Sequence, residues 1–223
     1  MTIIHSFMDK TPCEYIVWSV LPTIRKEFAK CMLRNHNLNQ KEIAEILELT
    51  PSAVSQYLSN KRGGIDIIDD QIQTEIDKSV KNIIKKGTSK FSKETCRICT
   101  ILKTKKLSIK KTSYCKGCDK LCETAVWDIL PVIRKEFSKN LIENYGFNQK
   151  RVSEVLGISE AAVSRYLSRK RGDIKISNKK ILEEIKKSTK LIANGNIKTA
   201  LEETCRICTI LKSTEVKFGE KNS

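Results

Sequence analysis

The chain has 223 residues, with 42 Lys+Arg against 26 Asp+Glu and a formal net charge of +16. Its hydrophobic fraction of 39% argues against wholesale disorder, and no apolar run approaches the roughly 20 residues of a membrane span. The charge creates a field that attracts polyanions, of which nucleic acid is the commonest and an acidic membrane surface the other; a merely Lys-rich soluble protein also fits the composition.

Residues 1–12 include His, Asp and Lys and hold no continuous apolar stretch, so they do not read as a signal peptide. The expected location is the cytoplasm, where disulfides are rare. The nine cysteines then read as metal ligands, redox groups or buried thiols. If Cys13, just after Pro12, opens a helix, the helix dipole favours its thiolate. Trp18 reads as a core anchor on an apolar helical face, and Pro22 suits the first turn of a helix running to about Arg34. Arg25-Lys26-Glu27 reads as a solvated face of that helix and Cys31 as a buried thiol. His5 and His36, the two histidines, belong to no visible constellation.

The stretch Asn39–Gly63 predicts two short helices. The first runs from Gln40 to Leu47, with Ile43, Ile46 and Leu47 on one face and the small Ala44 suited to a tight crossing. Leu49 plugs the turn, Thr50 is a natural N-cap, and Pro51 sits at the first helical position. The second helix turns Ala53, Val54, Tyr57 and Leu58 inward. Ser52, Ser55, Gln56 and Ser59 face out, and Lys61-Arg62-Gly63 ends it with cations near the C-terminus. Ile65-Asp66-Ile67 is the one hint of extended chain. From Asp69 to Lys86, Ile72, Ile76, Val80, Ile83 and Ile84 recur near helical spacing, and Gly87 stops the helix. Cys96-x-x-Cys99 follows.

The whole pattern then repeats at an offset of 109 positions. Cys13-Glu14 recurs as Cys122-Glu123, Trp18 as Trp127, Ile24–Phe28 as Ile133–Phe137, and Glu94–Lys103 unchanged as Glu203–Lys212; 46 of the 91 positions from Cys13 to Lys103 are identical with no gap. Residues 1–103 form one repeat, 104–114 a basic linker, and 115–223 the second repeat. In the second copy Gln149 to Leu156 is the first short helix, Gly157 takes the turn and Ser159 the cap. Ala162, Val163, Tyr166 and Leu167 point in. Ala161, Ser164, Arg165 and Ser168 point out, ahead of Lys170-Arg171-Gly172. Ile181, Ile185, Leu191 and Ile192 mark the later helix. The expected fold is all-α, with two tandem helical domains.

The run Gln-Lys-Glu-Ile-Ala-Glu-Ile-Leu followed by Ala-Val-Ser-Gln-Tyr-Leu-Ser resembles the helix-turn-helix of the Cro-like phage repressor superfamily. The whole module, from Pro-Cys-Glu and Trp to a closing Cys-x-x-Cys, resembles a group of predicted archaeal transcriptional regulators, over Cys13–Lys103 and Cys122–Lys212. That resemblance implies, for each domain, a Cro-like bundle with an added C-terminal helix and Cys-x-x-Cys. It also implies that the second short helix enters the major groove of double-stranded DNA. Gln56 would then read adenine and Arg165 guanine. Ser52, Ser55, Ser59, Ala161, Ser164 and Ser168 would lie along the same contact face, and Lys61, Arg62, Lys170 and Arg171 would bind phosphates. Two unlike helices in one chain predict two non-identical half-sites, with a homodimer of the whole chain left open. A non-specific nucleic-acid-binding protein and a helical hairpin for protein contacts are the competing readings.

Three chemistries compete for the cysteines. Cys13, Cys96 and Cys99 match Cys122, Cys205 and Cys208, while Cys115 and Cys118 occur only in the second repeat. Three thiolates suit a labile iron–sulfur cluster, with [4Fe-4S] expected first, in a sensor of redox state, oxygen or iron. Structural zinc prefers four ligands, which Cys115 or Cys118 would complete. A dithiol pair or inert thiols would need no cofactor. No Gly-rich phosphate loop, acid–base pair or nucleophile elbow is present, so neither an enzyme nor a small-molecule substrate is expected.

Overall fold

The computed structural model describes residues 10–105 and 121–214; His5, Cys115, Cys118, most of the basic linker and the C-terminal tail lie outside them. The described chain is helical, with no strand among the described residues, as the periodicity predicts. A short helix α1, Pro12–Tyr15, runs through a π turn, Ile16–Val20, into α2, Leu21–His36. Two short helices follow, α3 at Gln40–Ile46 and α4 at Pro51–Leu58, then α5 at Asp70–Lys86 and α6 at Phe91–Lys105. The second copy repeats this as α7, Leu121–Thr124, a π turn at Ala125–Ile129, α8 at Leu130–Tyr145, α9 at Gln149–Leu156, α10 at Glu160–Leu167, α11 at Lys179–Ala193 and α12 at Ile197–Ser213.

The chain forms two compact units whose borders do not coincide with the starts of the repeats. One unit is Tyr15–Cys122; the other joins Glu123–Ser223 to the N-terminal stretch ending at Glu14. Each unit is built around its long helix. In the first, α3, α4, α5 and α6 all pack on α2, and Ile24, Phe28 and Met32 of α2 are buried, as are Ile43, Val54, Ile72 and Ile98 of the helices around it. In the second, α9, α10, α11 and α12 pack on α8 in the same way.

The described end of the N-terminal stretch carries an ionic contact. Arg134 donates to both oxygens of Glu14, at 2.7 and 2.9 Å, and Glu14 also accepts from the Thr11 amide and hydroxyl at 3.0 and 2.9 Å. Both charged groups are buried. Burial alone would raise the Glu14 pKa. The bidentate guanidinium and the Thr11 donors outweigh it and hold the carboxyl below the usual glutamate value.

The unchanged Glu-Thr-Cys-Arg-Ile-Cys segment has a structural role that its cysteines obscure in the sequence. Arg97 donates to Glu94 at 2.9 Å and to Ser79 at 2.6 Å, and it pairs with the side chain and backbone carbonyl of Glu75 on α5. Arg206 makes the same set with Glu203, Ser188 and Glu184. The arginine between each pair of cysteines therefore buckles the last helix to the one before it.

Trp18 and Trp127 are not core anchors but stand 43% and 58% exposed. Each lies in a π turn, where the Leu21 amide reaches back five residues to the Ile16 carbonyl, as Leu130 does to Ala125. The widened turn leaves Ile16, Val17 and Val20 on the buried side and carries the indole outward. Next, Arg25-Lys26-Glu27 is not a solvated face, since Lys26 and Glu27 are buried. Lys26 Nζ donates to the Ile65 carbonyl at 3.0 Å and to Asp66 at 2.9 Å, so the Ile65-Asp66-Ile67 segment is a coil laid over α2. Lys135 repeats the backbone bond to Ile174 at 3.1 Å. Ile84 and Leu191, which recur near helical spacing beside buried isoleucines, are exposed.

Candidate nucleic-acid interface and cysteine sites

Local chemistry fixes the paired short helices. Asn39 accepts from the Lys41 and Glu42 amides, while Glu42 reaches back to the Asn39 amide, a capping box at the start of α3. The Thr50 hydroxyl accepts from the Ala53 amide to start α4, and Ser159 does the same for α10 through Ala162. Val54 and Tyr57 are buried from α4, and Val163 and Tyr166 from α10. Tyr57 and Tyr166 are thus core residues.

The residues expected on the contact face do lie on the outer side. Ser52, Ser55 and Ser59 are exposed and Gln56 half-buried, with Lys61 and Arg62 exposed just beyond. On α10, Ala161, Ser164, Arg165 and Ser168 are exposed, as is Lys170; Arg171 is half-buried, its guanidinium 5.7 Å from the Tyr166 ring centre. Arg165 Nε donates to the Ala161 carbonyl at 3.1 Å, which lays its side chain back along the helix.

A glycine holds each basic turn down. Gly63 and Gly172 have φ of +74° and +71°, and an added Cβ would lie 2.8 Å from the Pro22 carbonyl oxygen and 2.5 Å from that of Pro131. Only glycine fits that approach, which anchors Lys61-Arg62 and Lys170-Arg171 beside the start of the long helix.

The cysteines divide by compact unit rather than by repeat. Cys96 and Cys99 share a unit with Cys122, whereas Cys205 and Cys208 share one with Cys13. Burial, then Cys208, then Glu14, pushes the Cys205 thiol up to about 12. The influence of Glu14 places the start of the first repeat near the closing cysteines of the second. Cys115 and Cys118 lie outside the described residues.

Sequence reasoning missed one constellation. Cys31, His36 and Asp77 place their donor atoms within 4.8 Å of one another, so they could hold a metal ion. Cys31 is buried, as expected. Burial and the Asp77 carboxylate push its thiol up to about 12. His36 thus has partners after all; they are 5 and 41 residues away in the chain, and no spacing motif marks the second separation.

No helix among the described residues is long and apolar enough to cross a membrane. No family model, curated protein or solved structure matches the chain.

Proposed function

We propose that this chain is a sequence-specific DNA-binding transcriptional regulator whose paired short helices act as two Cro-like helix-turn-helix elements. One observation carries the reading. In both copies a short helix, capped at its start, turns small hydroxyl side chains and one long polar residue outward and ends in an anchored Lys-Arg-Gly turn. Small side chains let the backbone approach base edges, Gln56 and Arg165 supply the reading groups, and the cations supply phosphate affinity. The net charge of +16 suits the same partner.

The six shared cysteines are proposed to hold an oxygen-labile [4Fe-4S] cluster in each unit, with zinc as the alternative occupant. The ligand sets would be Cys122 with Cys96 and Cys99, and Cys13 with Cys205 and Cys208. In this reading, loss of a cluster alters DNA affinity.

Selection from a random DNA pool, followed by anisotropy titration at several salt concentrations, tests the DNA reading. It predicts an enriched motif with two unlike halves. Affinity without any enriched motif, together with a steep salt slope, would replace it with non-specific nucleic-acid binding. Anaerobic purification with iron, sulfide and zinc analysis tests the cysteine reading separately. Zinc alone would make the cysteines structural and leave the DNA reading intact.

A further inference from the structure

The Tyr15–Cys122 unit carries a donor set that its duplicate lacks. Cys31 lies in the second half of α2, His36 ends that helix, and Asp77 lies in the middle of α5. Cys31 Sγ is 3.6 Å from Asp77 Oδ1, and His36 Nε2 is 3.5 Å from the same oxygen. Tetrahedral zinc, with Zn–S near 2.3 Å and Zn–N or Zn–O near 2.0–2.2 Å, needs S···O and N···O separations of roughly 3.3–3.6 Å. Two edges of such a tetrahedron are therefore already at length.

A second observation points the same way. His36 Nε2 is buried and has no hydrogen-bond partner, although a carboxylate stands beside it. A buried polar atom that makes no hydrogen bond calls for an explanation, and an ion is one of the standard ones. The surrounding groups are arranged as supports. Lys81 Nζ holds the other carboxylate oxygen of Asp77 at 2.6 Å, leaving Oδ1 turned to the site. Asn35 Nδ2 donates to Cys31 Sγ at 3.6 Å and to Asp77 Oδ1 at 3.4 Å. Contacts of this kind fix the orientation of ligating groups.

We propose that Cys31, His36 and Asp77 bind one divalent transition-metal ion of the zinc class, with the fourth position left to water. One thiolate, one imidazole and one carboxylate suit zinc or cobalt and do not suit calcium or magnesium, which take all-oxygen sites. On binding, the Cys31 thiol releases its proton to solvent, and no redox change is needed. The ion ties the end of α2 to α5, the helices on either side of the first short-helix pair. The matching positions in the second copy are Asn140, Tyr145 and Lys186, so that unit has no equivalent site. The site is separate from the six shared cysteines and stands whether or not they hold a cluster.

The test uses the full-length chain, reduced, stripped with a chelator and titrated with cobalt(II), alongside His36→Gln and Asp77→Asn, which keep all nine cysteines. The wild type should take up one more equivalent of tetrahedral cobalt than either variant. Zinc should slow alkylation of Cys31, read by peptide mass spectrometry, at least tenfold in the wild type and not in the variants. Equal cobalt uptake by all three chains would overturn the site. If a variant fails to fold by circular dichroism, the alkylation experiment on the wild type decides, and absence of zinc protection at Cys31 overturns the proposal.

Discussion

The two compact units are copies of one design, and they differ according to where a residue sits. What holds the helices together is retained. Arg97 and Arg206 make matching buckles, Lys26 and Lys135 cap matching carbonyls, and Gly63 and Gly172 meet matching prolines. On the outer faces Ser55, Ser59, Lys61 and Arg62 recur as Ser164, Ser168, Lys170 and Arg171, while Gln56 stands against Arg165 and Asn60 against Arg169. Replacing an inward residue disturbs several neighbours at once, because the interior is close-packed. An outward residue has fewer neighbours to disturb. The two copies thus share their helix-to-helix contacts and differ at single outward positions, and the Cys31–His36–Asp77 trio is among the differences.

The largest expected effect tests the division into units. Replacing Arg134 with Leu should destabilise the unit formed with Glu123–Ser223 by about 3–5 kcal/mol, because it leaves the Glu14 carboxylate buried without its partner. Urea unfolding of the full-length chain measures this. A loss under about 1 kcal/mol, the scale of a surface pair, would mean that the N-terminal stretch is not part of that unit. The same pair has a pH signature. On folding, the Arg134 guanidinium and the Thr11 donors hold the Glu14 pKa below the usual glutamate value. Its contribution is therefore complete above that value and is lost as the pH falls through the lower folded value. Acid unfolding of the wild type, but not of Glu14→Gln, should show this component.

A smaller effect sharpens the likeness of the units. Gly172→Ala should cost about 1–3 kcal/mol, the range for backbone held in a sparsely populated region. Gly63→Ala should cost less, since its nearest contact is 2.8 Å rather than 2.5 Å. Thermal melts would rank them, and equal melting temperatures would remove the argument for a close approach.

The outer faces are tested by DNA binding. Arg165→Ala should lower discrimination at one half-site by about 1–3 kcal/mol, and Gln56→Ala should do so only at the other half. Loss at the same base positions in both variants would refute two unlike half-sites. The smallest effect concerns the turn after α3, where Glu48 has φ +54° and its counterpart is Gly157 at φ +63°. Glu48→Gly should raise stability by about 1 kcal/mol through relief of left-handed strain, a shift of a few degrees in the melting temperature.

Much of this molecule was legible in the sequence, for local reasons. The capped starts at Thr50 and Ser159, the inward faces of the short helices and the stop at Gly87 all follow from chemistry within one or two turns, and the structure has each of them. Trp18 was misread because apolar periodicity assumes 3.6 residues per turn, and a π turn shifts the phase. Lys26 was misread because its partners, Ile65 and Asp66, lie 39 and 40 residues away. The Cys31 trio was missed for the same reason, since Asp77 belongs to a different helix.

By itself, then, the sequence determined the helices, the duplication and which side of each short helix faces out, because caps, glycine stops and helical periodicity act between near neighbours in the chain. The tertiary structure alone decided that Glu14 belongs with Arg134, that the cysteines divide by unit and not by repeat, and that a histidine with no motif stands beside a thiol and a carboxylate. These depend on long-range packing, in which burial forces charged and polar groups to find partners wherever the folded chain brings them.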